Sequence, residues 1–139
     1  MFKININKPL ILFTQHSITT ELNDVFYQIR PSLEALKYFA KQGIQVIGAT
    51  LLPFSSALPN TPLDNYYQPN KDQLRQRINQ WIRTSHTFDG VLDLDNGLKD
   101  PKHPNRLNPI YDSGDHLHPN DRGNQHMAEL VDLDQITKN

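Results

Sequence analysis

The 139-residue chain has no cysteine, which excludes disulfides, thiolate nucleophiles and zinc–thiolate sites. A cysteine-free chain is compatible with any redox compartment. Neither charge is in surplus: 14 Lys and Arg stand against 15 Asp and Glu, for a net charge of −1. The chain therefore lacks the basic footprint of a nucleic-acid binder and the acidic run of a disordered tail. Long apolar runs are missing too. Leu10-Ile11-Leu12-Phe13 follows Lys3 and Lys8 but is too short for a signal-peptide core. Nothing approaches the roughly 20 apolar residues of a membrane span. The chain as written is expected to be cytoplasmic, with export open if a leader has been lost. Glycine is scarce at the front: there are 6 in all, and the first is Gly43.

The length indicates one domain over residues 1–139, large enough for a hydrophobic core. Leu10 to Phe13 predicts a short buried strand, with the polar loop Thr14 to Thr19 at its end. Val25 to Gln42 predicts a helix that Pro31 breaks or restarts, closed by Gly43. Ile44 to Leu52 is the clearest strand, rich in β-branched residues and bounded by Gly43 and Pro53. Pro53 to Gln68 is a long loop in which Tyr66 and Tyr67 either line a cleft or pack the loop down, with packing favoured. Asn70 to Phe88 places Leu74, Ile78, Trp81 and Ile82 at helical spacing, with Asn70 as the cap and Trp81 in the core. Val91 to Leu94 predicts a third strand, ending in the turn Asp95-Asn96-Gly97. There Asp93 and Asp95 either border a site or simply form the turn. Lys99 to Pro109 is a proline-rich polar loop, and Asp121 to Leu133 is the last helix. The alternation of strand and helix predicts a parallel sheet with crossover helices.

The densest chemistry lies in Tyr111-Asp112-Ser113-Gly114-Asp115-His116-Leu117-His118-Pro119-Asn120-Asp121-Arg122-Gly123. Pro119 disfavours helical backbone at His118. Asn120 or Asp121 caps the helix that follows, with Met127, Leu130 and Val131 as its apolar positions. Asp115 lies three residues before His118, so a tight turn can fold its carboxylate onto the ring. A carboxylate on one nitrogen fixes tautomer and orientation and leaves the other nitrogen to take a proton. The plainer reading makes Asp112 and Asp115 turn formers and His118 a surface residue, and spacing alone favours it. A third reading gathers His116, His118, His126, Asp115 and Asp121 around a metal, because residues two apart in an extended segment point the same way. It ranks below the others.

Asp115-His116-Leu117-His118-Pro119-Asn120, followed by Gly123 and Met127-Ala128, resembles the last block of the SGNH, or GDSL-type, serine esterase family. In that family an Asp-x-x-His-Pro segment supplies two members of a catalytic triad. Gly48-Ala49-Thr50-Leu51-Leu52-Pro53-Phe54 and Phe88-Asp89-Gly90-Val91-Leu92-Asp93-Leu94-Asp95 resemble strand ends of the same family. The likeness runs from about Ser32 to Leu133. It implies an α/β fold, three-layer α/β/α with a short, mostly parallel sheet, truncated relative to the family. It implies Asp115 as the orienting acid and His118 as the base, whereas His116 and Asp112 match no catalytic position.

The family's nucleophile sits in Gly-Asp-Ser, a tripeptide this chain lacks. Ser17, in Gln15-His16-Ser17-Ile18-Thr19 after the first strand, is the nearest match, and the order Ser17, Asp115, His118 is that of α/β hydrolases. The alternative for Ser17 is a loop serine or the cap of a short turn. The family's oxyanion donors come from a glycine block and a Gly-x-Asn-Asp block. No glycine precedes Gly43, and Asn23 or Asp24 reads as a helix cap. The N-terminal side is thus expected to be incomplete or replaced. The resemblance implies a hydrolase acting on small carboxylic esters, with no cofactor, metal or nucleic acid. The alternatives are an inactive C-terminal remnant or a binding module on the same scaffold. A short sheet with a bare edge also offers a route to a homo-oligomer.

Overall fold

The computed structural model describes residues 10–13 and 34–134. Ser17, Asn23, Asp24 and Pro31 lie outside the described residues, as does the start of the helix expected from Val25.

Strand β1 (Leu10–Phe13), β2 (Gln45–Ala49) and β3 (Gly90–Leu92) form one parallel sheet in the order β1-β2-β3. Leu10 pairs with Gln45 and Phe13 with Gly48, while Ile47 pairs with Gly90 and Ala49 with Leu92. The fold is α/β with a short parallel sheet, as the strand–helix alternation predicts. Helix α1 covers residues 34–41 within the described region. It closes in a Schellman motif: Gly43 N–H donates to Ala40 O and Ile44 N–H to Phe39 O, both at 3.0 Å. Gly43 takes φ +70°, the left-handed geometry this closure requires.

Helix α2 (Pro69–Thr84) is the long element behind the sheet. Leu74, Ile78 and Ile82, one face at helical spacing, form the buried cluster, with Leu51, Trp81, Phe88 and Val91 packed against it. Trp81 therefore belongs to the packing, meeting Phe88 edge-to-face at 5.5 Å. Phe88 lies so close over Gly48 that a Cβ there would come within 2.6 Å of its ring. Glycine at position 48 is what lets the ring cover the sheet.

Several boundaries differ from expectation. Gln68, not Asn70, holds the cap position of α2, and Pro69 starts the helix, since a first-turn residue needs no N–H and proline's φ is already helical. The helix stops at Thr84, and His86 at φ +53° turns the chain so that Phe88 can pack. Strand β2 ends at Ala49. Thr50 N–H still donates to Leu92 O at 3.0 Å, the last bond of the β2–β3 ladder, and beyond it Asn79 takes over the backbone of Leu51, accepting its N–H and donating to its carbonyl. The turn expected at Asp95-Asn96-Gly97 is instead the middle of a short helix, α3 (Leu94–Leu98). Asp93 ends the strand early because its carboxylate accepts Asn96 N–H and caps α3. The last helix, α4, runs Asp121–Glu129, shorter than expected, and packs on α3, where Leu130 meets Gly97.

Candidate active site

The segment before α4 is a closed loop. Asn120 N–H donates to Tyr111 O at 2.8 Å and Ser113 N–H to His118 O at 3.0 Å, so Asp112 and Pro119 form a single antiparallel bridge. Asn120 fastens this base three ways. Its Oδ1 accepts Gly123 N–H at 2.9 Å and caps α4, while its Nδ2 donates to Ile110 O and Asp112 O at 3.1 and 3.0 Å. Gly123 lies against the loop stem, where a Cβ would come within 2.8 Å of both Pro119 Cβ and Tyr111 O. The Tyr111 ring stacks on His126 of α4, with centroids 4.8 Å apart. On the other side Leu58 N–H donates to Asp115 O at 2.8 Å, tying the loop to the 53–68 segment.

Inside this frame Asp115 folds back on His118. Its Oδ1 accepts the N–H groups of Leu117 (2.9 Å) and His118 (2.8 Å) and the Ser113 hydroxyl (2.9 Å). Its Oδ2 lies 2.6 Å from His118 Nδ1. Burial works to raise the Asp115 carboxyl. The bonds from the His118 ring, the two backbone N–H groups and Ser113 outweigh it and hold the group well below the usual carboxylate range. A carboxylate only accepts, so the neutral ring donates from Nδ1 and keeps its lone pair on Nε2. No described residue bonds Nε2. The His118 side chain is 66% exposed and that of Asp115 35%. The pair is thus an oriented base facing outward.

The neighbouring residues form a second pair: Asp112 Oδ2 lies 2.5 Å from His116 Nδ1. The two histidines go to different carboxylates, and among the described residues no group of three or more His, Cys, Asp or Glu is placed to hold a metal ion. Tyr66 and Tyr67 both meet Phe54 edge-to-face, at 5.8 and 5.6 Å, as loop packing requires.

Asp93 and Asp95, just after β3, belong to an ionic network. Arg83 Nη2 binds Asp93 at 2.6 Å and Asp95 at 2.8 Å, and Arg75 binds Asp72 at 2.8 Å and also Asp95. Burial works to raise the Asp93 carboxyl, but the Arg83 guanidinium, the Asn96 N–H and the Thr50 hydroxyl bring it down to about 2. Arg75 and Asn79 are fully buried, and sequence reasoning missed both. The one local hint was polar residues adjoining the stripe Leu74, Ile78, Ile82. A cavity of about 630 Å³ beside this network is lined by Arg75, Arg83, Asp95 and Lys99 among others and takes in no residue of the 111–120 loop.

No curated protein matches the chain at a significant level. The family model for GDSL-like Lipase/Acylhydrolase matches residues 5–131, reaching upstream of the Ser32 start of the motif likeness and taking in the first strand. With nearly the whole chain matched, and with an Asp–His pair in the Asp-x-x-His-Pro loop, the protein belongs to the GDSL-like lipase/acylhydrolase family of esterase- and lipase-type hydrolases.

Proposed function

We propose that the chain is a serine esterase acting on small carboxylic esters through Ser17, His118 and Asp115. The observation that carries this reading is the 2.6 Å contact between Asp115 Oδ2 and His118 Nδ1, with Nε2 left unbonded by any described residue. In the reaction, His118 Nε2 removes the Ser17 hydroxyl proton as Oγ attacks the ester carbonyl. The tetrahedral intermediate collapses as the same proton passes to the leaving alcohol oxygen. Water, deprotonated by His118, then attacks the acyl-serine carbonyl, and as this second intermediate collapses the imidazolium returns the proton to Ser17 Oγ, releasing the acid and the free serine. Asp115 stays ionised throughout and stabilises the imidazolium that forms between the steps. Oxyanion stabilisation is the weak part. The family's two glycine-bearing blocks lack counterparts ahead of Gly43, and each missing donor lowers turnover by about 10²–10³. Slow turnover is therefore expected.

The test is hydrolysis of a p-nitrophenyl ester by the wild type, Ser17→Ala and His118→Ala, beside labelling with a fluorophosphonate. Wild-type turnover that falls to background in both variants, with the label on Ser17 and lost in His118→Ala, supports the triad. A folded wild type that neither turns over nor takes the label overturns it and leaves a non-catalytic member of the family.

A further inference from the structure

His116 and Asp112 have no part in the proposed triad, yet they repeat its two backbone bonds and its ring contact, without the serine hydroxyl that Asp115 also accepts. Asp112 Oδ1 accepts the N–H groups of Gly114 at 2.8 Å and His116 at 3.0 Å, and Oδ2 takes His116 Nδ1 at 2.5 Å. The Asp112 side chain is the more deeply buried of the two acids, 9% exposed, while the His116 ring is 44% exposed. His116 also sits at φ +60°, a left-handed backbone that strains a side-chain-bearing residue and that glycine would take freely. A turn alone does not need an imidazole here. Because Asp112 accepts from Nδ1, the neutral ring presents the lone pair of Nε2, and no described residue bonds it. Two residues of chain hold the Cα atoms of His116 and His118 within about 7 Å, so both rings leave the same turn.

We propose that His116 is a specificity-determining residue whose Nε2 accepts a hydrogen bond from a hydroxyl next to the scissile ester. The preferred substrates are then monoesters of polyhydroxy alcohols. As a statement about the reaction this rests on the esterase reading, but the recognition step does not require turnover. The test therefore has two arms, both on the full chain. In the first, 1-O-butylglycerol and butyl propyl ether, which lacks its two hydroxyls, are titrated while the imidazole Cε1 protons are followed by NMR. In the second, glycerol monobutyrate and propyl butyrate are compared as substrates.

The wild type is expected to prefer the hydroxyl-bearing member of each pair. His116→Gly, which takes φ +60° without strain, is expected to lose about three- to tenfold of that preference, the scale of one neutral hydrogen bond. Its handling of propyl butyrate and its His118 resonance should stay unchanged. Asp112→Asn, which no longer holds Nδ1 as the donor, should lower the same preference. Equal losses on both esters would make His116 merely structural and overturn the proposal, as would a preference that survives His116→Gly or is absent from the wild type. If no ester is turned over but the ether preference exists and is lost in His116→Gly, recognition stands and the esterase reading fails alone.

Discussion

Asp115 does two jobs with its two oxygens. Oδ1 gathers the backbone N–H groups of Leu117 and His118, which shapes the turn, and Oδ2 orients the ring. Asp115→Asn separates them. The amide oxygen can still serve the backbone, but the amide nitrogen facing Nδ1 is a donor and forces the proton onto Nε2. Under the triad reading, turnover of a p-nitrophenyl ester should fall by about 10⁴ with little change in fold. The same carboxylate links stability to pH. Its folded value lies below an unfolded value near 4, so the ionised form stabilises the native state. That contribution is present above about pH 4 and fades as the pH falls further. Urea unfolding between pH 6 and 2.5 should show a shallower acid loss in Asp115→Asn than in the wild type. The difference should be small, because the side chain is about a third exposed and screened by solvent.

At the scale of elements, α4 and the loop before it are one unit. Asn120 caps the helix with Oδ1 and ties the loop stem with Nδ2, so a single side chain sets the angle at which the loop leaves the helix. Asn120→Ala should destabilise the protein by about 1–2 kcal/mol, the upper range for a lost N-cap, read from the shift in denaturant midpoint. A lost cap also frees the loop, so the Asp115–His118 pair should show faster amide exchange than the sheet does. Gly123 serves the same junction. Nothing in the capping chemistry requires glycine there, but the 2.8 Å approach to the Tyr111 carbonyl does.

Across the whole molecule, the buried ionic network joins pieces that are far apart in sequence. Arg75 of α2 meets Asp95 of α3 and the Leu51 carbonyl at the end of β2, and Arg83 meets Asp93 and Asp95. The sheet, α2 and α3 are thereby fixed to one another, and α4 packs on α3 with the loop at its start. Arg75→Leu leaves buried Asp72 without its cation and Asp95 with Arg83 alone, and should cost about 3 kcal/mol in chemical unfolding, the lower end for a broken buried pair. Arg75→Lys keeps the charge but not the planar fork, and should fall between that variant and the wild type.

What the sequence by itself determined is local. Val46 and Ile47 in a β-branched run, Leu74, Ile78 and Ile82 at helical spacing, and Gly43 after a helix each act through neighbours within a turn or two. The Asp115–His118 contact is local as well, since a three-residue separation and a following proline allow the groups to meet, but spacing alone favours a plain turn and it is the family resemblance that singles out the pair. The tertiary structure alone decided what became of the other polar residues. Asp95 reads as a turn former until Arg75, 20 residues upstream, reaches it. Asn79 only adjoins the apolar stripe of its helix until the backbone of Leu51, 28 residues away, engages both its donor and its acceptor. A polar side chain settles where its lost water is replaced, and for these residues the replacement comes from distant segments that only packing brings near.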